Sequence, residues 1–208
     1  MVILACAVVP AATATAVDRP LKVVVLGDSL SAGFGLSAEA AFPSRLAEAF
    51  RSNTPAVSIT NAGVSGDTAS AGLDRLDWSV PEGTDAVILE LGANDALRGL
   101  DPKLTKAALD KILHKLDDRH IVVLLAGMRS PRNLGSDYAR EFDAIYPALA
   151  STHRVVFYPF FLDGVAADPK LNQGDGMHPN SAGVDAIVTR ILPKVEELIA
   201  RARAARGS

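Results

Sequence analysis

Ser29, Asp175 and His178 are the residues whose types and positions in this sequence fit nucleophilic chemistry. Ser29 lies just after a short apolar run, residues 22–26, and Asp175 precedes His178 by three positions. In a tight turn this spacing can put a carboxylate beside an imidazole, fixing its tautomer and stabilising its cation. A hydroxyl is the natural nucleophile for such a base, because the single cysteine, Cys6, lies in an N-terminal segment that we expect to be removed.

These residues also have ordinary structural roles open to them. Ser29 would be a common N-cap for the next helix, and His178 would be a typical loop histidine beside a helix start. The other three histidines are predicted to be structural or exposed. His114 falls on the polar face of a predicted helix, while His120 and His153 stand just before predicted strands.

Acyl transfer also needs hydrogen-bond donors aimed at the developing oxyanion. Gly66 can bring a backbone N–H close to a ligand without a side chain in the way, and Asn94 can offer its side-chain NH₂. Taken singly, Gly66 is a turn glycine and Asn94 a loop-capping amide. Asp28 and Asp95 are predicted to hold loops, because acyl transfer has no further role for an acid there.

Short apolar runs alternate with segments of helical spacing from Pro20 onward. Strands are predicted over residues 22–26, 56–60, 85–91, 121–126 and 155–158. Helices are predicted over 42–51, 68–76, a segment opening at 101–102, 138–150 and a last segment from 181 towards 199. This alternation predicts one α/β domain over 20–200, a parallel sheet covered on both faces and a frayed tail at 201–208.

The candidate residues all follow predicted strands. Ligands of an open α/β sheet bind beyond the carboxyl ends of its strands. If the strand order is 2-1-3-4-5, the loops with Gly66 and Asn94 flank the one with Ser29, so donors would surround the hydroxyl.

Composition excludes several other classes of protein. The 208 residues carry 21 Lys and Arg against 24 Asp and Glu, a net charge of −3 that provides no basic field for nucleic acid. One cysteine rules out an internal disulfide and a cysteine-based zinc site. With no P-loop or paired-histidine motif either, we predict no cofactor and no metal.

The first seventeen residues are uncharged and resemble an export signal. An apolar run over 2–9 is followed by small residues with two A-x-A patterns, although the usual basic start is missing. The run is shorter than the roughly 20 apolar residues of a membrane span. We expect residues 1–16 to be a signal peptide, the protein to be periplasmic or secreted, and no membrane span to remain after processing.

Four sequence blocks resemble those of the SGNH, or GDSL, hydrolases: GDSLSAG at 27–33, NAGVSGDT around Gly66, LGANDALRG around Asn94 and DGMHPN at 175–180. The likeness is closest to the bacterial thioesterase, lysophospholipase and arylesterase branch. It implies a three-layer α/β/α, flavodoxin-like fold with a five-stranded parallel sheet of order 2-1-3-4-5. Segment 127–135 resembles the mobile substrate-binding loop of that branch.

The resemblance also implies roles for individual residues. Ser29 would be the nucleophile, His178 the base and Asp175 the group that orients it. The oxyanion hole would be formed by the N–H groups of Ser29 and Gly66 and the side chain of Asn94. The expected activity is hydrolysis, through an acyl-enzyme, of small carboxylic esters or thioesters: aryl or short-to-medium acyl esters, acyl-CoA or lysophospholipid-like substrates.

Other functions stay open on the sequence alone. Within the enzymes the nearest alternative is a carbohydrate acetylesterase, and outside them a non-catalytic lipid- or glycan-binding module on the same fold. A receiver-type signalling domain fits poorly, because Glu90 and Tyr158 stand near the strand ends where it needs Asp and Lys. Six apolar loop residues are predicted either to wall an acyl groove or to pack in the core: Met128, Leu134, Phe160, Phe161, Leu162 and Met177. The oligomeric state is not predicted.

Overall fold

The computed structural model describes residues 19–52 and 56–206, and the predicted signal peptide lies outside them. Five parallel strands form one sheet in the order β2-β1-β3-β4-β5, which confirms the predicted topology. The strands are β1 Leu21–Gly27, β2 Val57–Gly63, β3 Ala86–Glu90, β4 Val122–Ala126 and β5 Val156–Tyr158. Every residue of β3 is buried, as expected of a central strand covered on both faces.

The α-helices are α1 Ser29–Ala32, α2 Phe42–Ala49, α3 Ala69–Asp74, α4 Leu76–Ser79, α5 Ala93–Leu97, α6 Pro102–Asp118, α7 Ser136–Asp143, α8 Ile145–Thr152 and α9 Ser181–Arg206. Helices α1 to α8 lie in the crossover connections between the parallel strands, and α9 follows β5. Two short 3₁₀ helices span Ala38–Ala40 and Arg132–Leu134. Helix α2 packs against α9, and α9 packs against the sheet. Helix α6 packs against α3 and α8.

Helix α6 shows how local sequence sets an element of this fold. The Asp101 side chain caps it by accepting a hydrogen bond from the backbone N–H of Lys103, and Pro102 occupies the first turn. Its buried positions recur at helical spacing: Thr105, Ala108, Leu109, Ile112, Leu113 and Leu116. The helix therefore presents one apolar stripe to the core.

Three helical predictions need correction. The helix predicted over 138–150 is two helices, α7 and α8, which meet at Ala144. The one-turn helices α1 and α5 were not predicted, because four or five residues are too few to show a helical period. The frayed tail from Arg201 is wrong as far as Arg206, since α9 continues to that residue with Ala202 buried along the way.

The register of the sheet brings three strand ends to one place. Gly27 at the end of β1 pairs with Gly63 of β2 on one side and with Glu90 of β3 on the other. A Cβ on Gly27 would collide with the side chains of Ser31 and Glu90, and one on Gly63 would collide with the backbone of α1. The two glycines therefore allow α1 to pack directly onto the carboxyl edge of the sheet.

The described residues contain no helix that has both the length and the apolar character needed to span a bilayer.

At the opposite edge of the sheet, Asp85 joins the two ends of the described chain. Its carboxylate accepts hydrogen bonds from Arg19 at 2.7 and 2.9 Å and from the Arg206 Nε at 2.7 Å, and it also contacts the Arg206 Nη2. Burial alone would raise the pKa of Asp85, but the hydrogen bonds from Arg206 and Arg19 outweigh it and lower this pKa to about 2. This cluster explains why α9 does not fray after Arg201.

We expect Asp85→Asn to lower the free energy of unfolding at pH 7 by about 1–3 kcal/mol, because two guanidinium groups lose a charged acceptor. Thermal unfolding measures the change. Since folding lowers the pKa of Asp85, its stabilisation is present above about pH 4 and is lost as the pH falls towards 2. The difference in free energy of unfolding between the wild type and Asp85→Asn should therefore decrease as the pH falls from about 4 towards 2.

The matched control is Asp137→Asn, which removes an exposed ion pair with Arg140. Such a pair contributes about 0–1 kcal/mol. Equal melting temperatures for the two variants would contradict the role of Asp85.

Candidate active site

Ser29 is the first residue of α1, at the carboxyl end of β1. Its predicted alternative role, the N-cap, belongs instead to Asp28, whose carboxylate accepts a hydrogen bond from the Leu30 backbone N–H at 3.0 Å. The Ser29 hydroxyl is therefore not used in capping, and Ser29 lines a mainly apolar cavity at this edge of the sheet.

The structure brings together Ser29, predicted from its position after the first strand, and Asp175 and His178, predicted from their spacing. The Ser29 Oγ lies 3.0 Å from the His178 Nε2, and the His178 Nδ1 lies 2.6 Å from the Asp175 Oδ2. The other carboxylate oxygen, Oδ1, accepts hydrogen bonds from the backbone N–H groups of Met177 and His178 at 2.9 and 3.0 Å. The Asp175 carboxylate therefore stabilises the backbone of the turn and also orients the His178 ring.

The ionised state of Asp175 determines which atoms of His178 and Ser29 carry protons. Hydrogen bonds from the backbone of His178 and Met177, and then from the His178 ring, lower the pKa of Asp175 to about 2. An ionised carboxylate accepts only, so the Nδ1 of His178 carries the proton that it donates to Asp175. In the neutral ring the Nε2 is then unprotonated, and it accepts the hydrogen bond of the Ser29 hydroxyl.

The histidine turn is anchored to the loop after α1. The Phe34 ring packs against the His178 ring with 4.6 Å between centroids. Gln173 donates from its backbone N–H to the His178 carbonyl at 2.8 Å, and from its side chain to the carbonyls of Phe34 and Pro179 at 2.7 and 3.0 Å. These contacts position the ring independently of the Ser29 hydroxyl.

Asn94 lies in α5, after β3, and lines the same cavity as Ser29. Its Nδ2 donates to the Asp67 carbonyl at 3.0 Å and to the Asp28 carboxylate at 3.2 Å. These bonds tie α5 both to the loop after β2 and to the turn before α1. Asp95, next in sequence, accepts hydrogen bonds from the Ala69 N–H and the Thr105 hydroxyl, so both Asp28 and Asp95 hold loops as predicted.

Gly66 lies in the loop after β2 with φ of +88°, a conformation that favours glycine. Its carbonyl accepts a hydrogen bond from Arg98 at 2.8 Å. Across residues 19–52 and 56–206, neither the Gly66 N–H nor the Ser29 N–H donates to a protein group. Asn94 lines the cavity beside Ser29, and Gly66 is not among its lining residues.

Glu90 is a buried residue beneath the site that the sequence analysis did not assign. Its Oε2 accepts hydrogen bonds from the Ser31 hydroxyl at 2.5 Å and, more weakly, from the Asp28 N–H at 3.4 Å. Its Oε1 has no partner among the described residues. Burial, and next the charge of Asp28, raise the pKa of Glu90 well above its usual range.

Asp28 shares this buried environment. Burial raises the pKa of Asp28 to about 6, although the hydrogen bonds from Leu30 and Asn94 partly oppose the shift. Two carboxyl groups therefore lie fully buried under Ser29, a costly arrangement that is typical of functional sites. The one signal in the sequence was an acidic residue, Glu90, inside a run predicted to be buried on both faces.

Arg75 is a second residue that sequence reasoning missed. Its side chain is buried and donates to the carbonyls of Gly27 and Ala62 at 2.9 and 2.8 Å and to the Asp67 carboxylate at 2.5 Å. The cation thus joins the carboxyl ends of β1 and β2 to the loop that carries Gly66. Nothing in the local sequence distinguishes this arginine from an exposed one.

The cavity beside Ser29 has a volume of about 270 Å³. The apolar part of its wall includes Leu30, Leu97, Met128, Pro131, Leu162 and Met177. Met128, Leu162 and Met177 were among the six loop residues predicted as either groove or packing. Phe161 proves to be packing, since it is fully buried against Phe42 with 5.1 Å between ring centroids.

The remaining two of those six lie outside the cavity wall. The Phe160 ring is covered by the guanidinium of Arg129 at 4.8 Å, and Leu134 is 37% exposed in a 3₁₀ helix. Met128, Arg129 and Pro131, which belong to segment 127–135, all line the cavity.

The Ser29 hydroxyl contacts the His178 imidazole, which in turn contacts the Asp175 carboxylate. This arrangement, at the carboxyl edge of a sheet of order 2-1-3-4-5, defines a serine hydrolase. A family model described as the GDSL-like lipase/acylhydrolase family matches residues 25–186. The chain belongs to this family, as its four sequence blocks indicated, and is a serine hydrolase of ester or thioester bonds.

Individual relatives agree with this assignment. The chain is 41% identical over 159 residues to an arylesterase of Vibrio mimicus, covering 76% of this chain and 80% of the relative. It is 39% identical over 177 residues to thioesterase 1/protease 1/lysophospholipase L1 of Escherichia coli K12, covering 85% and 84%. Among solved structures, AlinE4, an SGNH-hydrolase family esterase, aligns with a TM-score of 0.72 at 43% identity over 86% of this chain and 96% of its own.

We expect the melting temperature of Glu90→Gln to increase relative to that of the wild type as the pH rises from 5 to 8. Folding raises the pKa of Glu90, so its stabilisation is complete below about pH 4.5 and is lost as the pH rises towards the folded pKa. Glutamine retains an acceptor for Ser31 and has no such pH dependence. Melting temperatures across this pH range measure the effect.

Glu82→Gln, at an exposed position, is the control, and its difference from the wild type should not change with pH. A constant difference for Glu90→Gln as well would mean that Glu90 is ionised in the folded protein.

Proposed function

We propose that this protein hydrolyses small carboxylic esters and thioesters through an acyl-enzyme on Ser29. His178 acts as the general base and Asp175 orients it. The observation that carries the proposal is the continuous chain of contacts from the Ser29 Oγ to the His178 Nε2 at 3.0 Å and from the His178 Nδ1 to Asp175 at 2.6 Å. Both distances are those of direct hydrogen bonds.

In the first half of the reaction the Ser29 Oγ attacks the carbonyl carbon while the His178 Nε2 takes the hydroxyl proton. The ionised Asp175 stabilises the imidazolium that forms. Negative charge develops on the carbonyl oxygen, and the proposed donors to it are the N–H groups of Ser29 and Gly66 and the Nδ2 of Asn94. Asn94 would exchange one of its present hydrogen bonds, to Asp28 or to the Asp67 carbonyl, for the oxyanion.

In the second half the imidazolium returns its proton to the leaving alcohol or thiol as the carbon–oxygen or carbon–sulfur bond breaks. Water then attacks the acyl-enzyme, with the His178 Nε2 as the proton acceptor. Collapse of this second tetrahedral intermediate releases the carboxylic acid and returns the proton to Ser29. Each proton moves at the same nitrogen, so one histidine serves both steps.

The cavity supports substrates with a short-to-medium apolar acyl group. Its volume of about 270 Å³ is small for a ligand pocket, and its wall is mainly aliphatic. Relatives named arylesterase and thioesterase/lysophospholipase support aryl esters and acyl thioesters as leaving-group classes. An aliphatic wall gives a carbohydrate acetyl ester few polar partners, so we rank carbohydrate deacetylation lower.

The first test measures hydrolysis of p-nitrophenyl esters from acetate to palmitate. We expect Ser29→Ala to lose turnover by roughly 10⁴-fold or more, and Asn94→Ala to lose about 10²–10³-fold in kcat as one oxyanion donor is removed. Each methylene that the cavity buries should raise kcat/KM by up to about fourfold, with a decline once the cavity is full. Thioesters of the same acyl groups extend the series to sulfur leaving groups.

The control variant is Asp137→Asn, far from Ser29 in sequence and exposed, which should retain wild-type kinetics. Folded wild-type protein with no turnover above background would contradict the proposal and favour a lipid- or glycan-binding module. Faster hydrolysis of acetylated sugars than of any aliphatic or aryl ester would favour the carbohydrate acetylesterase.

Export of the protein to the periplasm or beyond is a further part of this proposal. It is supported by the uncharged apolar run and the A-x-A patterns of residues 1–16. Expressed in a Gram-negative host, the full chain should be recovered from the periplasm with Val17 as its first residue, as determined by intact mass. Recovery of the unprocessed chain from the cytosol alone would contradict export.

A further inference from the structure

Asp110, His114 and His153 form a cluster at the edge of the sheet opposite Ser29. Asp110 and His114 are one turn apart on α6, and His153 directly follows α8 and precedes β5. One potential metal-ligand atom from each residue lies within 4.8 Å of the other two. The sequence analysis treated both histidines as structural or exposed, because His114 falls on the polar face of a predicted helix and His153 stands just before a predicted strand.

The contacts are already arranged around one carboxylate. The His153 Nε2 lies 2.7 Å from the Asp110 Oδ1, and the His114 Nε2 lies 3.8 Å from the Asp110 Oδ2. The two imidazole rings are nearly perpendicular, with 4.7 Å between centroids. The two Nε2 atoms therefore face the same carboxylate, each nearer to a different oxygen.

The three side chains differ in their freedom to move. That of His153 is 8% exposed, while those of Asp110 and His114 are 40% and 66% exposed. His153 is therefore a fixed ligand, and the other two can move by the few tenths of an ångström to one ångström that coordination requires. A cavity of about 200 Å³ adjoins both histidines, so water has access. Asp117 and Arg154 also line it, and their charges oppose each other.

Two imidazole nitrogens and a carboxylate oxygen are a ligand set that zinc takes, at about 2.0–2.2 Å per bond, with water in the fourth position. We propose that Asp110, His114 and His153 bind one Zn²⁺ ion per chain. The ion replaces the His153–Asp110 hydrogen bond, and any proton held between them is released on binding. It links α6 to the end of α8 and takes no part in hydrolysis, which occurs at the other edge of the sheet.

The test is a titration of the full-length, metal-stripped protein with ZnCl₂ by isothermal titration calorimetry near pH 7.5, repeated with CoCl₂ by visible absorption. We expect one equivalent of Zn²⁺ to bind, the melting temperature to rise, and Co²⁺ to give the intense bands of a tetrahedral site. His114→Ala should weaken binding at least tenfold and is safe for folding, because the side chain is largely exposed. Asp110→Asn should weaken binding similarly, as it removes the ligand charge.

Two control variants separate this site from others. His120→Asn removes a histidine at the same edge, and asparagine tolerates the positive φ of 56° at that position. His178→Ala removes the histidine of the Ser29 site. Both should bind Zn²⁺ as the wild type does. Absence of binding to the wild type at about 100 μM Zn²⁺, which corresponds to a binding free energy of about −5.5 kcal/mol, would overturn the proposal. Binding that survives His114→Ala but is lost in His178→Ala would also overturn it.

Discussion

The buried carboxyl group of Asp28 joins the two loops on which the site depends. It caps α1 through the Leu30 N–H, and it accepts a hydrogen bond from Asn94 on α5. The position of the Ser29 hydroxyl relative to the Asn94 amide is thereby set by one group. Glu90 supports the same turn from below through Ser31. Two carboxyl groups without a solvent shell destabilise the fold, so this preorganisation has a cost in stability.

Much of the fold could be predicted from residue patterns. The strands and the long α6 have enough residues for their periods to be visible, and β-branched runs indicated burial on both faces. The errors have two sources, a local signal that was passed over and a tertiary contact. Pro147, in the first turn of α8, has no N–H to donate to the carbonyl of Asp143, so the helix breaks at Ala144, and this proline is a local signal that the prediction passed over. Helix α9, in contrast, extends to Arg206 because that residue meets Asp85, 121 positions earlier. No local signal contains such a pairing.

The site also has a part that could be predicted from the sequence and a part that could not. Asp175 and His178 are neighbours in one turn, so their contact could be predicted from spacing, and the topology then put Ser29 within reach. The partners of Asn94 and the buried roles of Glu90 and Arg75 depend on how loops from different strands meet. For the apolar loop residues, composition could not separate Phe161 in the core from Met128 in the cavity wall.

The central claim is that Ser29 is activated by His178 within a preformed site. The most direct measurement is the intact mass, followed by peptide mapping, of the folded protein after treatment with a serine-directed p-nitrophenyl phosphonate ester. The account predicts one adduct per chain, located on Ser29, with labelling slowed strongly in His178→Ala. An adduct on another residue, or labelling of Ser29 at the same rate without His178, would contradict it.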